Sequence, residues 1–284
     1  MSAPAGSASV RVALVQTRTP ATQQAALDHA ALLIEKACDG GAAFIATPEG
    51  SNLLQRSGAK FRAQALHLGE DPFVAGVRAI AQSRGVTILI GSALVRRDDG
   101  LFANRSILIT PTGDISATYD KIHMFDVDLP TGESHRESKA YEPGQAAVVA
   151  ESPIGMLGLT ICYDVRFPQL YRSLSQAGAQ VITVPAAFTR PTGDAHWEIL
   201  LRARAIENGC FILAPAQGGL HEDGRETWGR SLVAAPWGEL LVASTDDMPG
   251  VIFADLDLSQ VEQARRAIPS LNNGRDFVAP RFKT

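Results

Sequence analysis

Short apolar runs that end at Pro or Gly alternate with segments of helical period along most of this chain, and that alternation restricts the fold more than any single residue does. The run 9–16 (SVRVALVQ) opens with alternating Val10, Val12 and Leu14 and then turns nearly all apolar, which suits an interior strand. Over 22–38, Leu27, Ala31, Ile34 and Cys38 recur at helical spacing and Gly40-Gly41 supplies the stop, so Cys38 is expected in the core of that helix. The run 42–47 (AAFIAT) meets Pro48-Glu49-Gly50, and a strand ends there at a carboxylate. The pattern then predicts a helix over 71–84, strands over 86–95 and 105–110, and a hairpin turn at Pro111-Thr112-Gly113-Asp114. Such a succession builds βα units, with a buried sheet and helices on its outer side.

The second half repeats the alternation without repeating the sequence. It predicts a strand over 156–161, a helix over 168–176, a strand over 180–184, a helix over 195–208 and a strand over 210–214. Asp194 suits an N-cap for the 195–208 helix, in which Glu198 and Arg202 form an i,i+4 pair. Residues 231–235 and 239–243 flank Pro236-Trp237-Gly238 as a hairpin, 251–256 is a late strand and 259–268 the last helix. A single domain over 9–271 accounts for all of these elements. Residues 1–8 are expected to be a disordered lead-in, and the tail 272–284 has no pattern, so it either drapes over a neighbour or is disordered.

A net charge of −4 with 45% hydrophobic and 20% charged residues describes an ordinary globular protein and excludes a polybasic surface for nucleic acid or membrane. Three scattered cysteines, Cys38, Cys162 and Cys210, give neither a disulfide framework nor zinc-like spacing. A reduced, cytoplasmic protein without a metal fits them. No apolar run reaches the length of a membrane span.

The stretch 157–168 (LGLTICYDVRFP) carries an apolar segment straight into Cys162 and then into a Pro-marked helix start, which delivers a thiol to the end of a strand. Most free cysteines are inert core residues, as expected of Cys210 within its apolar run. A nucleophile needs a base for its proton and a stabiliser for the oxyanion it creates. His123 is a possible base. Glu49 and Lys121 offer another pairing, since each stands at a strand end or loop mouth: Lys121 would help hold a thiolate and then stabilise the oxyanion, while Glu49 takes the proton and returns it to a leaving amine. The aperiodic stretch from Tyr119 past Glu137 to Pro143-Gly144 is longer than most connections, as active-site walls often are.

The three separated motifs TPEGSNLL, YDKIHMFDVD and GLTICYDVRFPQLYR, in that order, resemble the nitrilase superfamily of carbon-nitrogen hydrolases, and the resemblance covers nearly the whole chain. It implies a four-layer αββα sandwich and a Glu-Lys-Cys triad of Glu49, Lys121 and Cys162. Glu137 stands in the place of the family's second glutamate, which positions the lysine and binds the amide nitrogen. The backbone N–H of Tyr163 joins Lys121 as the oxyanion hole. No cofactor is implied; a small-molecule amide substrate and a homodimer are.

The stretch from Phe188 to His221 is most similar to the Nit1-type branch, whose members are deaminated glutathione amidases, so release of ammonia from that small carboxylated amide is the expectation. An ω-amidase acting on α-ketoglutaramate is the nearest rival; a nitrile hydrolase and a noncatalytic binding protein are weaker ones. Trp228 stands where relatives carry Tyr, and Gly209 where a polar residue is common. Arg166 is a candidate clamp for a substrate carboxylate or else a surface charge, and Arg190 carries the same alternatives. His123 and Asp126 are expected to order the loop, and Trp197 and Trp237 to pack.

Overall fold

Successive side chains of a strand point to opposite faces, and β1 (Val10–Gln16) divides its residues accordingly between two cores. Val12 and Leu14 enter one cluster, and Ala13 and Val15 the other. The same division runs through β2 (Phe44–Ala46) and β3 (Thr87–Arg96): Phe44, Ala46 and Leu89 face one side, Ile45, Ile88 and Ile90 the other. A sheet apolar on both faces must be covered on both. The helices α1 (Gln23–Asp39) and α3 (Pro72–Arg84) cover the outer face, while the inner face packs against a second sheet. A short helix, α2 (Gly58–Gln64), lies between them in the chain.

The computed structural model describes residues 9–130 and 132–278, so the lead-in expected over 1–8 and the end of the tail, 279–284, lie outside it. Its first six-stranded sheet has the order β16-β1-β2-β3-β4-β5, where β4 is Phe102–Ile109, β5 is Ile115–Asp120 and β16 is Gly250–Leu256. The second comprises β8 (Val148–Ser152), β9 (Gly155–Leu159), β10 (Val181–Thr183), β11 (Phe211–Ala214), β14 (Leu232–Ala234) and β15 (Leu240–Ala243), in the order β15-β14-β11-β10-β9-β8. Each sheet has a parallel centre, β1-β2-β3 or β9-β10-β11, extended by an antiparallel hairpin on one side and an antiparallel edge strand on the other. The halves therefore share a topology although their sequences do not repeat. The helices α4 (Pro168–Gln176) and α5 (Arg190–Asn208) cover the outer face of the second sheet and complete the αββα sandwich. Two small hairpins, β6 (Asp126–Asp128) with β7 (Ser134–Arg136) and β12 (Gly218–Leu220) with β13 (Glu226–Trp228), precede the final helix α6 (Ser259–Ala267).

Several expectations need correction. Helix α5 starts at Arg190, not 195, because Pro191 in its first turn is preset for helix and needs no N–H partner there; Asp194 lies inside the helix and caps nothing. Its far end explains Gly209, which takes φ 54 to terminate α5, a conformation that a polar residue with a Cβ adopts at a cost. Strand β4 begins earlier than 105, and β8 was not foreseen. Trp197 packs as expected at 2% exposure, whereas Trp237 at the hairpin turn is 57% exposed. Cys38 is half-buried at the edge of its core, and Cys210 is fully buried. Residues 272–278 are irregular and exposed. Among the described residues, no helix is long and apolar enough to cross a membrane.

Candidate active site

Chains that leave the C-terminal ends of parallel strands carry the chemistry-bearing side chains to one edge of the sandwich. Glu49 follows β2 and Cys162 follows β9. Lys121 follows β5, which ends at the same edge because β5 and β3 both pair antiparallel with β4. Glu137 opens a short 3₁₀ turn, Glu137–Lys139, directly after β7. The Glu49 segment is pinned on both sides: Gly50 N donates to Ser92 Oγ of β3 at 2.8 Å, and Gln217 Nε2 donates to the Glu49 carbonyl at 3.0 Å. Gln217 also accepts from Thr17 Oγ1 and Thr19 N, both at 3.0 Å, which ties β1 to the chain after β11 beneath the site.

Lys121 Nζ lies 2.9 Å from Glu49 Oε1 and 2.9 and 2.8 Å from the two oxygens of Glu137. Glu49 Oε2 accepts from Ala187 N at 2.8 Å, and Glu137 Oε2 accepts from Phe125 N at 2.7 Å. Asn104 Nδ2 donates to Glu49 Oε1 at 2.8 Å and to Glu137 Oε1 at 3.3 Å. The Cys162 thiol lies within reach of the Glu49 and Lys121 charges, which act on it in opposite directions. Glu49, Lys121 and Cys162 are 7%, 2% and 8% exposed, so water screens these charges weakly.

Those contacts set the protonation states. Burial opposes the Glu49 anion, yet the Lys121 charge and the hydrogen bonds from Lys121, Cys162 and Asn104 hold it below the usual carboxylate range. Burial likewise opposes the Lys121 cation, and Glu137 and Glu49 outweigh it, so the ammonium stays charged well past its ordinary value. Burial and the Glu49 charge push Cys162 well up, against the pull of Lys121. Burial and the Glu49 charge thus favour the thiol form of Cys162, while Lys121 favours the thiolate.

Cys162 itself has φ 48, a left-handed conformation rare for a residue with a Cβ, at the start of a 3₁₀ turn over Cys162–Arg166. Its amide donates to Pro185 O at 2.9 Å. Asp164 holds the turn: its oxygens accept from Ile161 N at 2.9 Å, His123 N at 3.1 Å, His123 Nδ1 at 2.7 Å and Tyr119 Oη at 2.7 Å. Tyr163, second in the turn, has an N–H with no acceptor inside it, as the first amides of any helical turn do.

His123 is therefore bound to Asp164 and stacked on Phe167 at 3.6 Å, which makes it a scaffold group. Asp126 accepts from Ser138 and orders the same loop. The Arg166 guanidinium stands over Tyr163 and Phe188 at 5.9 and 5.5 Å and meets His196 Nδ1 at 3.3 Å. Arg190 is engaged by Glu226 and Asp247 on the surface. Asn104, Asp164, Tyr119 and Gln217 were missed. An Asn inside the apolar strand FANRSILI and an Asp two residues past the thiol were visible signals; the Ala187 N–H carried none. Among the described residues, no group of three or more His, Cys, Asp or Glu could hold a metal ion.

The family model described as carbon-nitrogen hydrolase matches residues 11–266. The deaminated glutathione amidase of Yersinia enterocolitica is 41% identical over 247 residues, 86% of this chain and 85% of that protein. The crystal structure of the C. elegans NitFhit protein aligns with a TM-score of 0.88 and 31% identity over 95% of this chain, which spans 66% of that longer protein. A variant of the amidase from Nesterenkonia sp. AN1, solved with acrylamide added at its active-site cysteine, aligns with a TM-score of 0.75 and 28% identity over 92% of this chain and 98% of its own. The chain belongs to the carbon-nitrogen hydrolase family of the nitrilase superfamily and is an enzyme that hydrolyses amide carbon-nitrogen bonds.

Proposed function

We propose that this enzyme releases ammonia from the terminal amide of a small carboxylated metabolite, deaminated glutathione, through a thioester at Cys162. The observation that carries the reading is the buried cluster in which Lys121 Nζ bonds both Glu49 and Glu137, with the Cys162 thiol buried within reach of the Glu49 and Lys121 charges. Cys162 Sγ attacks the amide carbon as its proton passes to Glu49. The oxyanion is held by Lys121 Nζ and the Tyr163 N–H, where preorganised donors act at low dielectric. Glu137 accepts a hydrogen bond from the amide nitrogen and keeps Lys121 in place. Collapse returns the proton from Glu49 to nitrogen, ammonia leaves, and the thioester remains. Water then attacks the thioester, its proton goes to Glu49 and on to sulfur, and the carboxylic acid departs.

The substrate rests on the relative named above and on the stretch from Phe188 to His221, not on the cluster. Arg166, with rings rather than a carboxylate against its guanidinium, is the candidate clamp for the substrate's carboxylate. The reading carries with it a single hydrolase domain over 9–271, a homodimer and a cytoplasmic location. Cys162→Ala should abolish ammonia release and hydroxylamine capture of the thioester while the fold remains; normal turnover by that variant would sink the mechanism. A kcat/KM for α-ketoglutaramate above that for deaminated glutathione by tenfold, about 1.4 kcal/mol of transition-state binding, would move the substrate to the ω-amidase alternative.

A further inference from the structure

We infer that Asn104 is a positioning residue for the amidase reaction: by donating to both carboxylates, its side chain holds Glu49 and Glu137 around Lys121 and keeps Glu49 ready as the base. The inference rests on the reading of Glu49 as that base.

Asn104 sits in β4 at 2% exposure, between two strands of the first sheet. Its Nδ2 reaches Glu49 Oε1 at 2.8 Å and Glu137 Oε1 at 3.3 Å, the same oxygens that Lys121 Nζ reaches at 2.9 Å. Its backbone carbonyl accepts Lys121 N at 2.9 Å. One residue thus fixes where the Lys121 chain leaves the sheet and where both glutamates end.

Charge explains the residue type. Glu49 and Glu137 against Lys121 leave one negative charge in excess among these buried groups, and carboxylates that share a site push one another toward protonation. A neutral double donor offsets that push without adding charge. Aspartate would add a third anion, leucine would supply no donor, and lysine would compete with Lys121 for its partners.

The side chain gives up stability to do this. With Nδ2 turned to the glutamates, Asn104 Oδ1 is buried with no hydrogen-bond partner among the described residues. An unpaired buried acceptor costs about 1–3 kcal/mol. Turning the amide over would bring Oδ1 against carboxylate oxygens, so the donor orientation is the only favourable one. A residue kept only to brace β4 would not need to face two anions.

The groups that face Glu49 are Lys121, Cys162 and the Ala187 N–H, with Glu137 across Lys121. The Tyr141 phenol, raised by burial and then by Glu137, with Glu49 adding to it and Arg225 and Lys121 acting the other way, completes the surroundings. Loss of the Asn104 donor weakens the anion of Glu49, and Glu49 then stays protonated to higher pH.

The test follows Cys162 alkylation by iodoacetamide against pH, beside kcat and KM for ammonia release from deaminated glutathione, in the full-length enzyme. Asn104→Leu and Asn104→Ala should move the acid limb of both profiles up by about one pH unit, the effect of one hydrogen bond to a carboxylate. They should lower kcat by about ten- to a hundred-fold with KM little changed. Asn104→Ser should fall between them and the wild type. Circular dichroism and thermal unfolding identify any variant that fails to fold; the alanine and serine variants serve if leucine does. Folded variants whose acid limb stays at the wild-type position overturn the inference, and so does a change confined to KM, which would place Asn104 against substrate. If no amide yields ammonia yet the alkylation limb moves, the substrate reading falls and this one stands.

Discussion

Tyr119 Oη donates to Asp164 Oδ2 at 2.7 Å and so joins β5, the strand that delivers Lys121, to the turn that holds Cys162. Asp164 is fully buried, and its other partners are the Ile161 and His123 amides and the His123 ring. The phenol stays protonated because burial, and then the Asp164 charge, push its pKa up. Tyr119→Phe removes a hydrogen bond to a charged acceptor, which costs about 1.5–3 kcal/mol. Urea unfolding should show that loss. Turnover should fall as well, since the segments that carry Lys121 and Cys162 lose their link; a variant as active and as stable as wild type would show that Asp164 holds the turn without help from β5.

Lys121 pairs with two buried carboxylates at once, so its removal differs from the loss of a surface ion pair. Lys121→Met leaves Glu49 and Glu137 buried without a cation and should cost about 3–5 kcal/mol. Adding Glu137→Gln removes one of the stranded charges and should restore part of that stability while hydrolysis stays lost. A double-mutant cycle by chemical denaturation measures the coupling, expected to exceed about 1 kcal/mol; strict additivity would mean that the two glutamates do not share the lysine in solution.

How much of this was legible in the sequence follows from how local each signal is. The interior strands β1, β3 and β9 and the helices α1 and α3 announce themselves by period and punctuation, although Asp71, read as the first residue of α3, is its N-cap and accepts from Phe73 N and Val74 N. Strand β8 (VVAES) has no fully buried residue and so no clear apolar face, and its reason for being a strand is its partner β9. The helix α2 (GAKFRAQ) buries one residue, Phe61, and so has almost no pattern to read. At the site, Glu49, Lys121, Cys162 and Glu137 were found by motif, and the structure brings all of them together. Asn104 stands out as a polar residue in a strand, but its partners follow from sheet register, and Gln217 acts through a sheet-to-sheet contact that no neighbouring residues encode.

Gly91 lies in β3 between Thr47, which follows β2, and Pro185, which follows β10 of the other sheet. A Cβ there would stand 1.9 Å from the Thr47 carbonyl oxygen and 2.4 Å from Pro185 Cβ. Thr47 leads to Glu49, and the Pro185 carbonyl anchors Cys162 N, so a Gly91→Ala strain would fall on the segments that carry Glu49 and Cys162. Overpacking of this kind costs about 1–3 kcal/mol or more. The variant should melt lower and lose kcat, whereas alanine at the open Gly69 should change activity little. Equal behaviour of the two variants would show that the sheets separate freely at this point.

His221 is buried at 3% exposure with Nε2 2.7 Å from Thr227 Oγ1, and burial, then the Arg225 charge, lower its pKa to about 4. The unfolded chain therefore takes up a proton at this residue before the folded one does. Stability from neutral His221 is fully present above the unfolded value of 6.5 and is lost as pH falls through the window toward about 4. Between pH 7 and 4.5 the loss should amount to about 2–3 kcal/mol. His221→Gln keeps a polar partner for Thr227 and cannot take up that proton. Its unfolding free energy should fall less over the same interval, by roughly that amount. Parallel pH profiles for the two proteins would mean that His221 is not buried as the neutral form.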